Sequence, residues 1–122
     1  MTLLRGLLGS LLLSLPFTCL AEEYIESFHS DIEVRLNGDL NVTETIVVRA
    51  EGKSIRRGIY RDFPTRYQNA QGDSVSIGFE VLSVQRDGST EPYHIKNRSN
   101  GKRIYIGDKN VTLSPGFYEY QI

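Results

Sequence analysis

Four arginines and three aromatic residues crowd into one short segment: Arg56, Arg57, Arg61 and Arg66 with Tyr60, Phe63 and Tyr67. Guanidinium groups bind carboxylates and phosphates through paired N–H donors, and they stack on ring faces. The segment Arg56–Tyr67 is therefore a candidate site for an anionic or sugar-like ligand, with Arg56, Arg57, Tyr60, Arg61, Arg66 and Tyr67 as its candidate ligand-binding residues. A second reading stands beside it. Arg61 would pair with Asp62 or Glu44 and pin the segment to the rest of the fold, Gly58 would permit close backbone approach, and Pro64 would fix a turn.

Glu44 belongs to this question because it lies on the apolar parity of an alternating segment. A buried, unpaired carboxylate costs several kcal/mol, on the order of the penalties for uncompensated charge. The sequence thus predicts a structural ion pair between Glu44 and an arginine of the segment, Arg57 or Arg61, with Arg61 preferred. The alternative places Glu44 near a strand end or bulge, facing water.

Other chemistry is poorly provided for. His29 and His94 are the two histidines, and zinc needs three or four converging ligands. No loop carries the spaced carboxylates of a calcium site, so neither metal nor cofactor is expected. The serines sit in turns, without a Gly-x-Ser-x-Gly elbow, a Ser-x-x-Lys pair or a phosphate-cradling glycine loop. Glu22, Glu23 and Glu26 read as a solvated acidic leader rather than paired catalytic acids. The expectation is a domain without enzymatic activity.

The elements that must position these residues are strands. Tyr24, Phe28, Ile32, Val34 and Leu36 alternate with His29, Asp31, Glu33 and Arg35, which predicts a half-buried strand with one wet face. Asn37-Gly38 is a hairpin signal, because both residues tolerate positive φ. Leu40, Val42, Ile46, Val48 and Ala50 then form the return strand. Alternation fails from Ser54 to Gly72, which predicts a long connection. It resumes at Val75, Ile77, Phe79 and Val81, turns at Arg86-Asp87-Gly88-Ser89, and returns at Tyr93 and Ile95, at Ile104 and Ile106, and at Phe117 to Ile122. About seven short strands between turns predict an all-β fold, an antiparallel β-sandwich.

Length and charge narrow the class further. The chain has 122 residues, 14 Lys plus Arg, 15 Asp plus Glu, and a formal charge of −1. That is one domain at most, and the balance argues against nucleic acid as a partner. Residues 1–21 carry Arg5, a short broken apolar run and Ala21 before Glu22, the pattern of a secretory signal peptide. Cleavage after Ala21 would remove Cys19, the single cysteine, so that packing alone would stabilise residues 22–122. A strand running to the last residue predicts that the sequence continues beyond Ile122, and a strand cut there would expose an unpaired edge.

Four blocks carry a resemblance to a known family. Asn37-Gly38-Asp39-Leu40-Asn41-Val42-Thr43-Glu44-Thr45-Ile46 resembles the first conserved block of the domain-of-unknown-function 2207 family of bacterial predicted membrane proteins. Arg57-Gly58-Ile59-Tyr60-Arg61-Asp62-Phe63-Pro64-Thr65 is similar to its second. Arg103-Ile104-Tyr105-Ile106-Gly107-Asp108 and Pro115-Gly116-Phe117-Tyr118-Glu119-Tyr120 are similar to its third and fourth. The resemblance implies an exported, extracytoplasmic β-rich domain on the outer side of the cytoplasmic membrane, anchored by transmembrane helices further along. It implies no catalytic residues. The expected function is binding of an envelope ligand or protein. The alternatives are a secreted carbohydrate-binding or adhesion module, and an enzyme whose active site lies downstream.

Overall fold

The computed structural model describes residues 22–122; the expected signal peptide, residues 1–21, lies outside the described residues. Ten strands follow in order: β1 (Tyr24–Val34), β2 (Leu40–Ala50), β3 (Gly58–Pro64), β4 (Arg66–Gln68), β5 (Ser74–Ser76), β6 (Gln85–Arg86), β7 (Ser89–Thr90), β8 (Tyr93–Arg98), β9 (Gly101–Gly107) and β10 (Gly116–Gln121). They form a five-stranded sheet in the order β1-β2-β10-β6-β7, a three-stranded sheet β3-β9-β8, and the ribbon β4-β5. All pairings are antiparallel. The fold is all-β and sandwich-like.

The core lies between the two larger sheets. β2 contributes Ile46 and Val48, β9 contributes Ile104 and Ile106, and β10 contributes Tyr120, with Val84 closing one side. Period-2 alternation produces this directly: Glu44, Ile46, Val48 and Ala50 are buried while Thr45, Val47 and Arg49 between them are only partly covered. Asn37-Gly38 forms the β1–β2 turn, Gly38 taking φ +90° while the Arg35 N–H donates to Asp39 O. Asp87 and Gly88, with φ of +50° and +82°, turn β6 into β7, as two-residue hairpins require.

Several expectations are corrected. The long connection from Ser54 to Gly72 holds β3 and β4, and β3 pairs with β9 along its whole length. The strand expected over Val75–Val81 is paired only at Ser74–Ser76; Phe79 and Val81 pack on the core without joining a ladder. β1 is not half-buried. Its apolar parity is exposed as well as its polar one, from 46% at Tyr24 to 71% at Val34, and Arg61 of β3 is the side chain that reaches over Phe28. β10 lies between β2 and β6, pairing with β6 at Tyr120 and Gln121.

The three-stranded sheet closes tightly at one end. Gly58 pairs with Gly107, and a Cβ on Gly58 would lie 1.7 Å from the Ile106 carbonyl oxygen. No helix among the described residues is long and apolar enough to cross a membrane.

Candidate functional site

Strand register assembles a second cationic and aromatic cluster that sequence spacing conceals. In the three-stranded sheet Tyr60 of β3 lies opposite Tyr105 of β9, and Tyr105 lies opposite His94 of β8. Side chains at paired positions share a face, so the three rings form one row across the sheet. His94 stacks on Tyr105 with centroids 4.8 Å apart and planes 11° apart; Tyr105 and Tyr60 are 6.0 Å apart. Tyr60 keeps 56% of its surface exposed, as expected of a face turned away from the core.

The next row on this face is charged. Asp62, Arg103 and Lys96 occupy successive paired positions. Arg103 Nε and Nη2 donate to Asp62 Oδ1 and Oδ2 at 2.7 and 2.9 Å. Its guanidinium carbon lies 4.1 Å from the Tyr60 centroid, and the Lys96 ammonium lies 5.5 Å from the Tyr105 centroid. The hydrogen bonds from Arg103 hold the Asp62 carboxyl below its ordinary 3.8, with the charges of Arg103 and Arg98 assisting. A hydrogen bond from Arg103 also lowers the Tyr105 hydroxyl below 10.0. The bond to Asp62 in turn raises Arg103, which stays cationic.

Beside these rows the β8–β9 turn borders an open groove of about 740 Å³, whose lining includes Asp62, Arg66, Arg98, Lys102 and Arg103. Asp62 is spoken for by Arg103, so the groove presents a clear cationic excess on a chain whose overall charge is −1. Such a surface can hold an anionic group in the groove while a flat or saccharide ring packs against the exposed Tyr60.

The candidate residues of the segment Arg56–Tyr67 are dispersed by this geometry. Tyr60 joins the aromatic row and Arg66 lines the groove. Arg61 points to the opposite face: its Nε and Nη2 donate to Glu44 Oε1 and Oε2 at 2.8 and 2.7 Å, and its guanidinium lies over Phe63 and Phe28 at 4.6 and 5.4 Å. It is a structural residue, removed from any ligand on the outer face. Arg56 offers its carbonyl to the Leu113 N–H, and the Arg57 carbonyl packs against Gly107. Tyr67 sits on the separate ribbon β4-β5. The side chains of the segment are therefore not gathered on one face, because alternate residues of β3 face opposite sides.

The acidic leader is corrected as well. Glu23 accepts the backbone N–H groups of Glu51, Ser54 and Ile55 at 3.2, 2.5 and 2.8 Å. Desolvation pushes its carboxyl up, but the N–H donors of residues 51–55 outweigh that and bring it below 4.5. Glu23 thereby fastens the β2–β3 connection to the start of β1. Among the described residues no three His, Cys, Asp or Glu side chains are grouped to hold a metal ion.

With fold and site in view, the comparisons with known proteins define a class. Residues 24–122 match the family described as Predicted membrane protein (DUF2207) N-terminal domain, and the chain belongs to that family. Over 101 residues it is 34% identical to the uncharacterized protein YciQ of Escherichia coli (strain K12), an alignment covering 83% of this chain and 16% of that relative. The chain thus spans about a sixth of the length of the curated relative it matches. No solved structure matches it.

Proposed function

We propose that this chain is the extracytoplasmic, non-enzymatic domain of a bacterial envelope membrane protein, and that it binds a phosphate-bearing saccharide on the outer face of the β3-β9-β8 sheet. The observation that carries the reading is the aromatic row His94–Tyr105–Tyr60 lying directly beside the cationic row of Lys96 and Arg103, which opens into a groove flanked by Arg66 and Arg98. The exposed Tyr60 at the end of the row supplies apolar surface for a sugar to pack against, and the cations supply the partners for phosphate. Arg103 is already fixed by Asp62 and Tyr60, so little of its rotamer freedom remains to be lost on binding.

Family membership supports the membrane context, since the family is described as that of predicted membrane proteins. The signal-peptide pattern of residues 1–21 supports export. Anchoring by helices beyond Ile122 belongs to the same proposal. An anionic polymer of the envelope fits the reading better than nucleic acid, given a chain of formal charge −1.

Titrating the full-length protein with dextran phosphate and with plain dextran tests the reading. Binding of the phosphorylated polymer alone supports it, and binding of neither contradicts it. Binding only to phosphatidylglycerol vesicles would move the ligand to a lipid headgroup and overturn the saccharide assignment.

A further inference from the structure

Among the described residues β1 is a long edge with little protection. It forms one end of the five-stranded sheet, is eleven residues long and is exposed throughout. Natural edges are blunted by proline, charged side chains, bulges or shortness, and β1 carries the charges of Asp31 and Glu33 on its polar face. Here the one irregularity lies at Ile25/Ser27, and from Ser27 to Val34 the strand has no bulge, proline or lysine. The opposite edge, β7, has two residues.

The direction of its free backbone groups follows from the ladder. Glu44 pairs with Ser30, yet the Glu44 N–H and C=O both bond to Ile122 on the other side of β2. Ser30 is therefore in a non-hydrogen-bonded pair with β2, and its own N–H and C=O face the open edge. Phe28 and Ile32, two residues away on either side, present theirs in the same direction. Phe28 and Ile32 keep 48% and 56% of their surfaces exposed, and Phe28 is already held under the Arg61 guanidinium.

We propose that β1 pairs antiparallel with β1 of a second copy of this chain, the two-fold axis passing through Ser30. In this register Phe28 of each copy lies opposite Ile32 of the other on the apolar face, and His29 lies opposite Asp31 on the polar face. Shifting the axis to Asp31 places two carboxylates against each other; shifting it to His29 places two imidazoles together and separates Phe28 from Ile32. Of these three registers, the one at Ser30 makes both faces complementary, and its hydrogen bonds use the backbone groups already pointing outward. A second copy supplies everything the edge needs, which makes the contact isologous. The β3-β9-β8 outer face is left open by this pairing.

Cysteine cross-linking in the full-length protein within its membrane tests the contact. The two Ser30 Cα atoms would lie about 5.5 Å apart, whereas the two Glu33 Cα atoms would be separated by about 20 Å. Oxidation of Ser30→Cys is expected to give a covalent dimer, with none from Glu33→Cys or from the parent protein. Adding His29→Asp to Ser30→Cys is expected to abolish the dimer, and adding Asp31→His as well to restore it. Absence of the Ser30→Cys dimer, equal cross-linking at Glu33→Cys, or a dimer indifferent to His29→Asp each overturns the proposal. A segment beyond Ile122 covering β1 would show itself as the first of these outcomes.

Discussion

Arg103 lies across the ring of Tyr60, 4.1 Å from its centroid, while its guanidinium grips Asp62 with two hydrogen bonds. The two residues are far apart in sequence, and only the β3–β9 register brings them together. One consequence is spectroscopic. Arg103 also donates to Tyr105 at 3.5 Å and lowers its hydroxyl below 10.0. An NMR titration of ring-labelled tyrosine is expected to find Tyr105 ionising below 10, and to find it moving back toward 10 in Arg103→Gln. An unmoved Tyr105 would mean that the donor is not engaged in solution.

The Glu44–Arg61 pair makes a prediction about stability. Glu44 keeps 6% of its side-chain surface and Arg61 keeps 31%, so removing the arginine strands a buried carboxylate. Loss of one partner from a fully buried pair costs about 3–5 kcal/mol; the partial exposure of Arg61 reduces this to about 2–3 kcal/mol. Urea unfolding of Arg61→Ala should show that loss. Arg61→Met combined with Glu44→Met should recover most of it, because the uncompensated charge is then gone.

Acid sensitivity follows from Glu23. Its carboxyl is held below the ordinary value of 4.5 by the N–H groups it accepts, so the unfolded chain binds the proton more readily. The stabilisation is fully present above 4.5 and is lost as pH falls through the lower folded value. Glu23→Gln should accordingly be less stable than the parent at neutral pH. The gap should stay constant down to about pH 5 and narrow below 4.5. A gap that widens on acidification would contradict this sign.

Tyr120 is fully buried, and its hydroxyl has no hydrogen-bond partner among the described residues. Burial pushes its ionisation well above 10.0, with the Glu91 charge adding to the effect. An unpaired buried hydroxyl costs about 1–3 kcal/mol. Tyr120→Phe, which keeps the ring in the core, is expected to match or exceed the parent in thermal unfolding. A clear fall in Tm would reveal a partner for the hydroxyl.

The sequence displayed some of this and hid the rest for identifiable reasons. The β1–β2 hairpin was legible because Asn37-Gly38 sits between two alternating runs. Glu44 was legible as a carboxylate needing a partner because its neighbours in parity are Ile46 and Val48. β3 was hidden because Arg61 occupies an inward position between Ile59 and Phe63 while Tyr60 occupies an outward one, so charge and aromaticity reverse the usual pattern. The exposure of β1 was hidden too, since alternation reports a face and not whether another sheet covers it. The row His94–Tyr105–Tyr60 depends on two strand registers joining distant segments, and no local spacing encodes it. What could have pointed to it is that Tyr60 and Asp62 share a parity on β3, as Arg103 and Tyr105 do on β9.

The most direct test is the affinity of the full-length protein for dextran phosphate when the cationic row is reversed. Lys96→Glu with Arg98→Glu alters exposed side chains on β8 that carry no core packing, so the fold should survive and circular dichroism can verify it. A loss of at least about tenfold in affinity is expected, since two favourable charge contacts become repulsive. Little change is expected from Arg56→Glu with Arg57→Glu, which precede β3. Undiminished binding in the Lys96/Arg98 variant, or a loss confined to the Arg56/Arg57 variant, would contradict the central claim that the β3-β9-β8 face is the binding surface.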